Sequence, residues 1–269
     1  MANGAPSFDP RACPLAPAEL AGRVICITGV TGGIGQALAL DCASHGAQLI
    51  LCGRNTRKLE LLHADVCAAT RSADRASAVP SREPLREPLI APLDLEKALA
   101  QDYDGLADAV LRRFGRLDGL VHCAALLGAL APIEQFDVPT WYRVMHVNVT
   151  AAFALTRVLL PALRAAADAS VLFTTSSVGR RGRAYWGAYA VSKFAIEGLT
   201  QVLADELESS GVRVNAINPG RARTAMRRQA FPSEALESLP LPAALTAPYI
   251  ALLGAAARGV TGRSFDAQA

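Results

Sequence analysis

The chain has 269 residues, 51% of them hydrophobic, enough apolar mass for one α/β domain or two small ones. Its net charge of +3, without long like-charge blocks, argues against a nucleic-acid partner. No stretch approaches eighteen apolar residues without charge and no basic start leads into an apolar run, while His45, His63, His122 and His146 show no ligand spacing, so a membrane span, a secretory signal and a metal site are not expected.

Residues 1–19 carry Pro6, Pro10, Pro14 and Pro17 among small residues and are expected to form a flexible leader, with a single domain over 20–269. Val24–Thr28 reads as a strand and Ile34–Ser44 as a helix that Gly46 stops. Ala47–Cys52 is the next strand, and Thr56–Ala69 a helix with Thr56 as its expected cap. Residues 70–92 look irregular, with prolines at 80, 84, 88 and 92, so the strand at Leu89–Leu93 is expected to be short or at a sheet edge. A helix follows from about Glu96 to Phe114, then a strand at Leu117–Cys123 and a long helix at Thr140–Ala166. A strand at Ser170–Thr175, a helix at Gly187–Glu208 and a strand at Val212–Ile217 come next. A short helix at Pro248–Ala257 and a last strand at Gly262–Asp266 close the chain. The alternation and the nearly continuous apolar strands predict an α/β fold: one Rossmann-type, doubly wound parallel sheet of about seven strands with helices on both faces. Cys13, Cys26, Cys42, Cys52, Cys67 and Cys123 form no C-x-x-C pair and read as free thiols of a reducing compartment, with the cytoplasm the expected location.

The first strand-to-helix turn is Thr28-Gly29-Val30-Thr31-Gly32-Gly33-Ile34-Gly35. In a fold of this kind it meets a dinucleotide's pyrophosphate, with Gly29 for the tight turn, Gly33 for close backbone approach and Gly35 for helix packing. After the second strand, Leu49 to Asn55 contains no acid for a ribose 2′-hydroxyl but does contain Arg54, which suits a 2′-phosphate. The expected cofactor is therefore NADP(H), with Arg57 and Lys58 adding to the field.

Tyr189 and Lys193 stand at i, i+4 on an expected helix, and Ser176 follows the preceding strand. An ammonium near a phenol favours phenolate, so Lys193 is expected to lower the Tyr189 pKa. Tyr189 would then exchange a proton with a carbonyl or alcohol oxygen held by Ser176.

These residues resemble the short-chain dehydrogenase/reductase family over roughly Leu20 to Ala267. Asp94 matches the acid that meets the adenine, and Asn148 matches the asparagine of a catalytic tetrad completed by Ser176, Tyr189 and Lys193. Pro219-Gly220-(x)3-Thr224 matches the segment over the nicotinamide, with Thr224 on the carboxamide. The resemblance implies that Lys193 also holds the nicotinamide ribose, that Asn148 binds a water in the proton relay, that the third strand lies at a sheet edge, and that the chain forms homodimers or homotetramers. Segments such as Leu126-Leu127-Gly128, Trp186-Gly187-Ala188-Tyr189 and Arg223-Thr224-Ala225-Met226-Arg227 resemble the YciK-like oxidoreductases of bacteria in particular. Where the family carries Asn-Ala-Gly after the fourth strand, this chain reads Cys123-Ala124-Ala125, with Ala124 still expected against the cofactor.

Two arginine groups, Arg180, Arg181, Arg183 and Arg221, Arg223, Arg227, Arg228, are expected to flank the substrate, with Tyr185 and Trp186 between them and Tyr189. They raise two readings: an anionic substrate or acidic carrier protein, or ordinary solvated loops. The leading expectation is an NADP(H)-dependent oxidoreductase acting on a small carbonyl or alcohol. A 3-oxoacyl-carrier-protein reductase is the alternative within enzymes, and a non-catalytic dinucleotide sensor the alternative outside them.

Overall fold

Strands and helices alternate along the chain, in a computed structural model that describes residues 8–76 and 87–269. The strands are β1 (Val24–Thr28), β2 (Gln48–Gly53), β3 (Leu89–Pro92), β4 (Gly119–His122), β5 (Ala169–Thr174), β6 (Val212–Asn218) and β7 (Ser264–Asp266). All pair in parallel, in the order β3-β2-β1-β4-β5-β6-β7. The order reverses between β1 and β4, which opens a crevice at their carboxyl ends. β3 sits at one edge, where Pro92 pairs with Gly53 at the strand's end.

The helices are α1 (Gly33–Ser44), α2 (Thr56–Ala76), α3 (Ala100–Phe114), α4 (Val138–Met145), α5 (Ala151–Arg164), α6 (Gly187–Glu206), α7 (Ala225–Ala230) and α8 (Ala247–Leu253). Alternate strand residues feed two cores. Cys26, Leu120 and Phe173 pack with Leu106 of α3, Leu155 of α5 and Ile196 of α6. Ile25, Ile27 and Val121 pack with Leu38 of α1, Leu59 of α2 and Tyr249 of α8. By length and composition alone, Val138–Arg164 and Leu236–Leu253 could cross a membrane, but Leu155, Leu159 and Leu163 of the first and Tyr249, Ile250 and Leu252 of the second are wholly buried in these cores.

Several boundaries differ from expectation for local reasons. α2 continues through residues 70–76, where neither glycine nor proline interrupts it, and Asn55 rather than Thr56 caps it by accepting the Lys58 amide at 2.9 Å. Pro80 and Pro84 lie outside the described residues. α3 starts at Ala100 instead of Glu96 because Asp94 organises a turn, its side chain accepting from Glu96 N and its carbonyl from Lys97 and Ala98 N. The expected long helix at Thr140–Ala166 begins at Val138, capped by Asp137, and is broken by a π-turn at His146–Thr150. α7 had no counterpart in the expected elements. From Phe8 onward the supposed leader is held: Phe8 meets Phe265 edge-on at 6.0 Å, Leu15 packs on the core, and Arg11 donates to the Gln268 carbonyl.

Candidate active site

A cleft of about 480 Å3 lies over the carboxyl ends of the central strands. Its floor at one end is the turn from β1 into α1. Gly29 has φ of +71°, and a Cβ there would fall 2.7 Å from backbone atoms of Ala124. A Cβ on Gly35 would fall 2.5 Å from the Gly29 carbonyl oxygen, so α1 rests directly on the turn. Thr28 ties β1 to the loop after β4: its hydroxyl accepts the Ala124 amide at 3.2 Å. The N-terminus of α1 has no side-chain cap and no acid in its first turn, leaving its amides free to meet an anion. Arg54, exposed at the end of β2, stands on the rim, close enough to Glu96 to help hold that carboxyl below its usual range after the dominant Arg143 hydrogen bond. These donors fit a phosphorylated dinucleotide: open amides for the pyrophosphate and a guanidinium for a further phosphate.

The other end carries the titratable side chains. α6 places Tyr189 and Lys193 one turn apart, with the Lys193 ammonium 5.5 Å from the centre of the phenol ring. Lys193 is 4% exposed and donates to the Thr174 carbonyl at 2.7 Å. Burial draws its pKa down to about 8. Ser176 leaves β5 in extended backbone, with its hydroxyl near enough to the Tyr189 phenol to favour the phenolate. The expected lowering of the phenol is not what the structure produces. Tyr189 is 8% exposed, and burial pushes its pKa up to about 12, with Ser176 acting in the opposite direction.

Thr28, Gly29, Gly33, Ile34, Gly35 and Arg54 line the cleft, as do Asp94, Ala124, Pro219, Gly220 and Thr224, beside Ser176, Tyr189 and Lys193. Asn148 does not. It lies behind the wall in the π-turn, where its Oδ1 accepts from Leu126 N at 2.7 Å and its Nδ2 donates to Leu126 O and to Ser192 Oγ, both at 2.9 Å. Ser192 in turn donates to the Tyr189 carbonyl at 2.7 Å. Asn148 thereby fixes the loop after β4 to the helix that carries Tyr189. Thr224 caps α7 by accepting the Arg227 amide at 3.1 Å, and its methyl stands 3.4 Å from where a Gly33 Cβ would be, so this segment overhangs the glycine turn. Gln268 holds the same segment from below through the Pro219 and Arg221 carbonyls.

The arginine groups do not flank the cleft as expected. Arg180 is bound to Glu197, Asp266 and Ser264, and Arg223 donates to the Glu237 carbonyl. Of the seven, Arg227 alone lines the cleft. Met226 and Ala230 of α7, with Leu127, also stand at this end and were missed, because a six-residue helix leaves too short a period to read. Outside the cleft, one grouping qualifies the expectation that histidines lack ligand partners: atoms of His63, Cys67 and Glu87 lie within 4.8 Å of one another.

The family model for short chain dehydrogenases matches residues 23–235. An uncharacterised oxidoreductase of Escherichia coli K12, YciK, is 43% identical over 246 residues, covering 91% of this chain and 92% of its own. A short chain dehydrogenase of Shigella flexneri solved in complex with NADP superposes with a TM-score of 0.87 at 42% identity, covering 94% of this chain and 100% of that one. A counterpart from Escherichia coli CFT073 solved with NADPH gives 0.87 at 43% identity, with the same coverage.

Proposed function

Because the chain belongs to the short-chain dehydrogenase family, we propose that it is an NADP(H)-dependent oxidoreductase interconverting a small carbonyl compound and its alcohol, with Tyr189 as general acid and base. The observation that carries this reading is the convergence of Ser176, Tyr189 and Lys193 on the cleft whose far end is the glycine turn. NADP(H) is supported by Arg54 on the rim, by the absence of an acid at the end of β2, and by the cofactors of the two similar solved structures.

A dinucleotide held by the glycine turn and Arg54 would supply hydride to the carbonyl carbon, or accept it from the alcohol carbon. A phenol held near 12 is fully protonated at neutral pH and stands ready to donate to the oxygen that gains charge. Ser176 orients that oxygen. Lys193 is mostly cationic below about 8, and its field supports the phenolate left by proton transfer. Asn148 keeps Tyr189 in register with the loop after β4, beside any water it binds for the relay.

The same reading makes a homodimer or homotetramer in the cytoplasm the working form. Exposed Phe153 on α5 and Val191, Phe194 and Val202 on α6 suit a face that a second copy covers. The carrier-protein alternative draws less support at the cleft itself, where Arg227 alone of the seven arginines lines the wall and Glu234 pairs with it. The test is Tyr189→Phe, expected to keep NADPH affinity in a fluorescence titration while turnover falls by about 10²–10⁴-fold. Wild-type rates in that variant would refute the assignment.

A further inference from the structure

The charge that Arg227 brings to the cleft is cancelled from within. Arg227 reaches the cleft from α7, and Glu234 takes its guanidinium in a bidentate pair, Nε to Oε2 and Nη2 to Oε1, both 2.5 Å. The two side chains are only 19% and 21% exposed, so the pair is largely out of water. The flat face of the same guanidinium lies 3.8 Å from the centre of the Phe231 ring. The Nε–Nη2 edge and one face of Arg227 are thus occupied. Arg227 hydrogen bonds are the main cause holding the Glu234 carboxyl below its usual range, which favours its charged form.

What remains around the reacting groups is apolar. Leu126, Leu127, Met226 and Ala230 line the cleft with Trp186, whose ring centre is 5.8 Å from that of Tyr189. Phe231 backs Trp186 at 5.8 Å, and Arg183 lies over both rings at 5.7–5.9 Å. Tyr185, with φ of +73°, turns the chain into Trp186, and its carbonyl accepts the Ala131 amide at 3.1 Å. The result is a supported aromatic wall beside the phenol. A flat ring lying against Trp186 fits it, and a carboxylate entering there would lose water and meet an Arg227 already neutralised by Glu234.

Resting on the reductase reading above, we propose that Glu234 is a specificity-determining residue: by neutralising Arg227 it makes the site select neutral aromatic carbonyl compounds over anionic ones. The experiment compares kcat/KM with NADPH for benzaldehyde, 4-carboxybenzaldehyde and propanal in the wild type, Glu234→Gln, Arg227→Gln/Glu234→Gln and Trp186→Ala, each checked for folding by its melting curve. The wild type is expected to favour benzaldehyde over its carboxylated analogue by about tenfold or more. Glu234→Gln, which leaves Arg227 uncompensated, is expected to move that ratio toward the acid by on the order of tenfold, and the double variant to return it. Trp186→Ala is expected to lose several-fold more on benzaldehyde than on propanal. Equal use of the two aromatic aldehydes by the wild type overturns the proposal, as does an unchanged ratio in folded Glu234→Gln. If the wild type reduces none of the three, the reductase reading itself fails and takes this proposal with it. Turnover without discrimination sinks the specificity claim alone.

Discussion

The two ends of the same sheet treat charge in opposite ways. At the amino ends of the strands, Asp168 just before β5 accepts from Arg23 at 2.6 Å and from Arg213 of β6 at 2.8 Å. Beside it Asp118 accepts the Val24 amide at 2.8 Å and the Arg116 guanidinium at 3.1 Å. At the carboxyl ends, the buried Lys193 has, among the described residues, a single hydrogen bond and no carboxylate. Charges paired at once on several sides lock strands together. A charge left with one carbonyl is unfavourable in the folded state and available for chemistry. One end is built for stability and the other for reaction, and substitutions should separate the two.

The largest stability effect is expected at the amino end. Asp168→Ala strands Arg23 and Arg213, the latter 4% exposed, and should cost about 3–5 kcal/mol in denaturant melts while activity per folded molecule stays near wild type. Burial alone would raise the Asp168 pKa, but Arg213 and then Arg23 outweigh it and hold it below 3.8. Its contribution is therefore full above that value and lost as pH falls through the lower native one, so the deficit of the variant should shrink in acid. A variant equally unstable at pH 7 and pH 2 would break the comparison.

At the carboxyl end the sign should reverse. Folding lowers the Lys193 pKa from 10.5 to about 8, so its burial opposes folding in full below 8 and ceases to do so above 10.5. Lys193→Met should abolish turnover yet raise stability at pH 7 by about 1–2 kcal/mol, or roughly 2–8 °C in Tm. That gain should fade between pH 8 and 10.5, and a lower melting temperature than wild type at pH 7 would contradict it. The smallest effect concerns Cys123-Ala124-Ala125. The Cys123 thiol meets the Thr174 hydroxyl at 3.4 Å, and burial pushes its pKa to about 11. Cys123→Asn with Ala125→Gly should fold and tighten NADPH binding several-fold, since an amide adds two donors and an acceptor where a thiol offers one weak donor, a change of about 1 kcal/mol. Weaker binding in a titration would count against it.

Much of the cofactor end could be read directly because its signals are local. The glycine turn sits between an uninterrupted apolar strand and a helix, and Gly35 and Gly29 answer to contacts within the turn and with the loop of neighbouring β4. The π-turn at His146–Thr150 was not legible, because the apolar period of Thr140–Ala166 runs straight through it and the partners of Asn148 lie 22 and 44 residues away. The start of α3 was obscured for the converse reason: Glu96 to Leu99 look helical in sequence, but the amides of Glu96, Lys97 and Ala98 are spent on a turn that Asp94 organises. The arginines misled, since a run of charges does not reveal which are paired. Arg180 meets Asp266 across 86 residues, and Arg227 meets Glu234 on the far side of Phe231.

The sequence by itself determined the parallel alternation, the phosphate-ready turn and the one-turn spacing of Tyr189 and Lys193, because periodicity, backbone conformation and i, i+4 neighbours belong to a few adjacent residues. Only the tertiary structure decided that the phenol rises to about 12 while the lysine falls to about 8, and that one arginine of seven faces the cleft already neutralised. Burial and ion pairing depend on everything that surrounds a group, and most of those surroundings are distant in the chain.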